Sequence, residues 1–173
     1  MNEFYITATD LEWINGEKDN PKDLCLHGHA VAKIGNEILE YDATVSATAL
    51  YLLKTITEDH IMYEDNQMLP CCGHSMFLKE DGSGDVLICG CTNGIDWSVI
   101  HNKEDVKIIT EFGNEIVISL DEYKKEVFKF ADLIENFYNN CTEKILPKDT
   151  FERNVYIAFW KEWHRRRNCN NIL

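Results

Sequence analysis

Pro70 to Trp97 reads P-C-C-G-H-S-M-F-L-K-E-D-G-S-G-D-V-L-I-C-G-C-T-N-G-I-D-W and holds four of the chain's seven cysteines. Two short apolar runs, Ser75 to Lys79 and Val86 to Cys91, flank the Gly- and Asp-rich stretch Glu80 to Asp85, which is the pattern of a β-hairpin. A symmetric loop sets Lys79 opposite Val86 and His74 opposite Cys91. Side chains alternate along strands, so Cys72, His74, Cys89 and Cys91 then share one face. Three thiolates and an imidazole suit the tetrahedral preference of zinc, although structural zinc sites more often space their cysteines as C-x2-C. A slip of one residue would part the cysteines from the histidine. His27 or His29 could substitute from another strand. The plainer reading, small buried thiols beside a satisfied histidine, is the commoner fate of such residues.

Downstream of the hairpin, Thr92-Asn93-Gly94 signals a turn, and Ile95 to His101 alternates as a strand. Val106 to Phe112 and Glu115 to Leu120 are further strand-like runs, joined by Gly113-Asn114, so a meander of about five strands spans Ser75 to Leu120. Ser119 with Glu122 forms a capping box, after which Tyr123, Val127, Phe130, Ile134 and Phe137 recur at helical spacing. Pro147 falls in a break at Cys141 to Lys148. Asp149 with Glu152 opens a last helix to about Arg167, whose apolar stripe is Phe151, Val155, Phe159 and Trp163. Its basic end, Arg165 to Arg167, suits the helix dipole and an acidic body.

Upstream, Glu3 to Trp13 reads as an opening strand, Asn15 to Asp23 as a loop, and Leu24 to Ile34 as a strand turned at Gly35-Asn36 into Glu37 to Tyr41. From Asp42 the period changes, and an amphipathic helix capped by Thr44 or Ser46 is expected to about Glu58, its apolar face widened by Leu50 and Tyr51 so that deep burial is expected. Asp59 to Pro70 has no clear period and reads as a loop, with His60 solvated. The elements predict an α+β fold: a mixed, mainly antiparallel sheet carrying one helix from the amino-terminal half and two carboxyl-terminal helices. With no internal repeat and no low-complexity linker, residues 1–173 are expected to form one domain.

Hydrophobic residues make up 45% and charged residues 27%, a folded rather than a disordered composition. No basic leader precedes an apolar run at the start, and the longest largely apolar stretch, Ala43 to Leu53, is well short of the roughly 20 residues that cross a bilayer. A cytoplasmic location is therefore expected, in which the cysteines are free thiols. The formal charge is -13, with the excess of acid over the first 147 residues and a basic excess after them. Such a field repels phosphate, which argues against nucleic-acid and membrane partners and for a basic protein partner.

A rim at Asn93, Asp96 and Trp97 offers an interface, with Trp97 as its anchor, against the plainer reading of a turn followed by a core tryptophan. Together these features point to a non-enzymatic acidic protein-binding module, such as an inhibitor or immunity-type protein for a basic partner. A small zinc-binding protein built on the Cys/His hairpin is the second reading, with zinc the only cofactor considered. The third is a thiol-dependent enzyme in which Cys72 or Cys91 is activated by His74 or His101 and oriented by Asp96. The loop Asp81 to Gly84 lacks the Lys-Ser/Thr of a phosphate-binding loop and is read as a turn.

Overall fold

The computed structural model describes residues 3–64 and 66–168. Strands β1 (Phe4–Glu12), β2 (His27–Ile34) and β3 (Glu37–Ala43) form an antiparallel sheet in the order β1-β2-β3. Its inner face is set by alternation: Phe4, Ile6 and Ala8 stand beside Ala30, Ala32 and Ile34, and all six are buried. Helix α1 (Val45–Lys54) follows, and every residue from Val45 to Leu53 is buried. A helix that is enclosed on all sides must be covered on all sides, and α1 touches β2 and both later helices. It stops at Lys54 instead of Glu58, where the Lys54 ammonium turns inward to Val86 O (2.8 Å) and Glu162 (3.0 Å). Thr44 occupies the N-cap position without a side-chain capping bond, and the Ser46 hydroxyl instead accepts from the Leu26 amide.

The α+β class holds: among the described residues there are three helices and only antiparallel pairing, but the strands fall into four small sheets instead of one. Among the described residues, strands β5 (Ser75–Leu78) and β6 (Val86–Cys89) pair only with each other; β8 (Trp97–Asn102), β9 (Asp105–Thr110) and β10 (Glu115–Ser119) form a separate meander. Between them, β7 (Gly94–Ile95) leaves the expected path and pairs with β4 (Leu69–Pro70), inside the stretch read as a loop. Gly94 permits this. Its φ is +148°, and a Cβ there would lie 2.5 Å from Leu69 O, so only a glycine lets the two backbones approach so closely. His60, expected in solvent, is buried, bridged to Val99 through both backbone bonds.

Helices α2 (Leu120–Asn139) and α3 (Thr150–Arg167) start where the sequence places them. Ser119 Oγ accepts from the Glu122 amide at 3.2 Å, and Asp149 accepts from the Glu152 amide at 3.0 Å. On α2, Tyr123, Val127, Phe130 and Ile134 are buried, and the helix packs on α1 and β1. On α3, Val155, Phe159 and Trp163 are buried, whereas Phe151 is 53% exposed and rests on Phe77 of the hairpin. The basic end of α3 is taken up by the body of the protein. Arg166 binds Glu58 (2.5 Å), Asp85 (2.9 Å) and Glu162 (2.7 Å), Arg165 binds Asp85, and Arg167 grips Asp132 with two nitrogens. No helix among the described residues is long and apolar enough to cross a membrane.

Candidate functional site

The hairpin forms one residue out of the expected register. Ser75 stands opposite Cys89, Met76 opposite Ile88, Phe77 opposite Leu87 and Leu78 opposite Val86. Val86 and Ile88 are buried while Leu87 and Cys89 are exposed, so burial of the apolar pair selects this register. Cys89 therefore stands opposite Ser75, two residues from Phe77 on the same outer face. The His74 ring lies 5.1 Å from that of His27 on β2 instead of beside Cys91. The expectation that Cys72, His74, Cys89 and Cys91 line one face is corrected accordingly. Among the described residues no three of His, Cys, Asp or Glu are grouped so as to hold a metal ion.

What does come together is a trio of thiols that includes Cys71, which the sequence reading passed over. The β4–β7 pairing continues one step past the strands, as the Cys71 amide donates to Asn93 O at 3.1 Å. That step lays 70–73 against 90–94. The Cys91 amide then donates to Cys72 Sγ at 3.1 Å, and a Cβ on Gly90 would stand 3.0 Å from Cys72 O, so the two segments are in close contact. The side chains of Cys71 and Cys72 both hydrogen-bond that of Cys91, and Tyr41 on β3 hydrogen-bonds Cys71. Cys71 and Cys91 are exposed and Cys72 is half-buried. The vicinal Cys71-Cys72 pair was the available sequence signal.

These contacts divide the protons unequally. The Cys91 thiol is held below its ordinary range by the Asn93 backbone first, then by the Cys72 and Cys71 side chains. Cys71 is pushed up, chiefly by its hydrogen bond with Cys91. A thiol that donates to a neighbour keeps its proton and favours the neighbour's thiolate. Cys25, in contrast, is buried and pushed up to about 12 by desolvation, which makes it a packing residue.

The interface rim changes character. Trp97 is fully buried in the core and offers no surface, which corrects its reading as an anchor. Asp96 is committed internally: its Oδ1 accepts from the Met68 amide (3.1 Å) and the Trp97 amide (2.9 Å) and lies 2.8 Å from His60 Nε2. Of the three rim residues only Asn93 is exposed. His101, one base considered for a thiol enzyme, binds Asp59 (2.8 Å), and Asp96, the group considered for orienting it, belongs to His60.

Large exposed aromatics occur elsewhere. Phe112, at the turn between β9 and β10, is 82% exposed, and Tyr63 is 77% exposed. The Tyr63 hydroxyl hydrogen-bonds Glu111, the residue before Phe112, which brings the two rings' loops together. Tyr63 also has a φ of +69°, a left-handed conformation that is costly for a bulky residue. Glu64 and Glu111 beside them are exposed. No family model, curated protein or solved structure matches this chain.

Proposed function

We propose that this chain is a non-enzymatic acidic protein-binding module that docks a basic protein, an inhibitor or immunity-type protein being one member of that class. The observation that carries the reading is the corner made by Tyr63, Glu111 and Phe112, where two exposed aromatic rings sit among carboxylates. Exposed aromatics of this size are the usual anchors of protein interfaces, and surrounding charge of one sign selects and speeds the opposite partner. The same reading is supported by the basic end of α3, whose three arginines are engaged with Glu58, Asp85, Asp132 and Glu162. Each of these pairs cancels acid and base alike, so the formal charge of -13 stands and the outward field is dominated by acid. The strained Tyr63 backbone fits a residue held outward for contact.

The test is binding to a panel of purified basic proteins, small nucleases and cell-wall hydrolases among them, measured at low and high salt. At least one is expected to associate roughly tenfold or more slowly as ionic strength rises, because exposed charges are screened beyond the Debye length. Phe112→Ala is expected to weaken that complex by about tenfold or more while leaving the unfolding transition unchanged, since the ring touches solvent in the free chain. Binding indifferent both to salt and to the Tyr63→Ala/Phe112→Ala pair would overturn the reading.

A further inference from the structure

The thiol trio lies outside the aromatic corner and invites a separate reading. Its parts are fixed by backbone: the β4–β7 ladder and the Cys71 amide to Asn93 O bond hold residues 70–73 against 90–94, and the Cys72 sulfur already rests 3.1 Å from the Cys91 amide nitrogen. A disulfide between the two asks for β-carbons about 3.5–4.5 Å apart and a dihedral near ±90°, and the approach of the Cys72 sulfur to the Cys91 backbone brings the two residues together for it. A bridge between the adjacent Cys71 and Cys72 would instead have to distort the peptide joining them.

We propose that Cys91 and Cys72 are a reversible dithiol–disulfide couple that exchanges with low-molecular-weight disulfides, with Cys91 the attacking sulfur and Cys71 the hydrogen-bond donor that positions it. The exposed Cys91 thiolate attacks one sulfur of the small disulfide; the S–S bond breaks, one small thiolate leaves, and Cys91 carries the other half as a mixed disulfide. Cys72 loses its proton to solvent and attacks the Cys91 sulfur, releasing the second small thiolate. The chain gives up two electrons and two thiol protons, and the small disulfide is reduced to two thiols. Excess small thiol runs the steps backwards. The lowered proton affinity of Cys91 and the raised affinity of Cys71 suit these roles. Cys89 is an internal control, since it is also exposed but sits on the hairpin, opposite Ser75.

The experiment uses the reduced full chain, equilibrated with mixtures of oxidised and reduced glutathione and read by intact mass and by peptide mapping. The Cys71→Ser variant removes the ambiguity of adjacent cysteines in one peptide. The expected product is a Cys72–Cys91 bridge that reduced glutathione reverses, formed in the wild type and in Cys71→Ser. Cys72→Ser is expected to stop at glutathione on Cys91, and Cys91→Ser to form no bridge. In brief alkylation with iodoacetamide, Cys91 is expected to react roughly tenfold faster than Cys89, and Cys71→Ser to narrow that gap. Equal rates at Cys91 and Cys89, or a bridge mapping to another pair, would overturn the proposal. So would zinc bound one per reduced chain and released together with the protection of these thiols, because the trio would then be a ligand set. All the serine variants lie at surface or half-buried positions, and matched unfolding curves separate a lost thiol from a lost fold.

Discussion

Glu162→Ala is expected to lower the free energy of unfolding by about 3–5 kcal/mol, the loss typical of removing one partner from a buried ionic group. The Glu162 carboxylate is fully buried and serves three groups at once. One oxygen binds Lys54 Nζ (3.0 Å) and Arg166 Nε (2.7 Å), and the other accepts from the Val86 amide (2.7 Å). Alanine would leave the buried Val86 N–H without its acceptor and take the charged partner from Lys54, which keeps the Val86 carbonyl, while Arg166 would retain Glu58 and Asp85. The groups it ties together are the end of α1, the first residue of β6 and the last turns of α3, which Lys54 to Val86 O and Arg166 to Asp85 and Glu58 also link. Arg165→Ala, at a half-exposed position, is expected to cost about 1 kcal/mol or less.

Urea titration at neutral pH checks both values. A Glu162→Ala loss below about 1 kcal/mol would show that the network is not a clamp. Replacing Lys54, Glu162 and Arg166 together by apolar residues of similar volume should recover part of the loss, because Asp85 keeps Arg165 and Glu58, which loses its partner, is half-exposed. The same network gives an acid dependence. Burial works to raise the Asp85 carboxyl, but the hydrogen bond from Arg165 and the charges of Arg166, Arg165 and Lys54 outweigh it, and the group titrates below its ordinary range. A carboxylate lowered on folding contributes stability that is complete above about pH 5 and is lost as pH falls through the folded value, below the unfolded value of about 3.9. Asp85→Asn should flatten the stability profile over that acid range, and an unchanged profile would contradict the pairing.

Trp97→Ala is expected to cost about 3–5 kcal/mol, the range for removing a large aromatic ring from a packed core. Trp97 is wholly buried, opposite Thr110 at the first rung of the β8–β9 pair, and its amide is one of those held by Asp96. Its indole nitrogen has no hydrogen-bond partner among the described residues. Trp97→Phe should therefore lose ring volume but no hydrogen bond, and cost less than the alanine variant. Thermal unfolding separates the two roles this residue was given. A core residue shifts the midpoint by many degrees, whereas an interface anchor would leave it in place and weaken a partner. An unchanged midpoint for Trp97→Ala would restore the interface reading and contradict the packing described above.

Local signals were legible along the chain wherever neighbouring residues suffice to specify them. The starts of α2 and α3 follow from Ser119/Glu122 and Asp149/Glu152, since a capping bond spans only three residues. Alternation in β1, β2 and the β9–β10 hairpin was likewise readable, and so was the deep burial of α1, because Leu50 and Tyr51 widen its apolar face. What escaped the sequence depended on partners distant along it. Tyr63 and Phe112 carry no sequence mark of exposure, and their neighbourhood arises only when the loop after α1 meets the β9–β10 turn.

The amino-acid sequence by itself determined the α+β class, the helix starts, the acid excess and the presence of a cysteine-rich hairpin, all properties of composition or of short-range spacing. Tertiary structure alone decided which thiols meet. The hairpin register was chosen by burying Val86 and Ile88, which turned Cys89 outward, while the close approach at Gly94 drew 70–73 onto 90–94 and put Cys71 with Cys72 and Cys91. Both choices are made by packing against residues far away in the chain, and a one-residue difference in strand pairing reverses the face of every side chain on it.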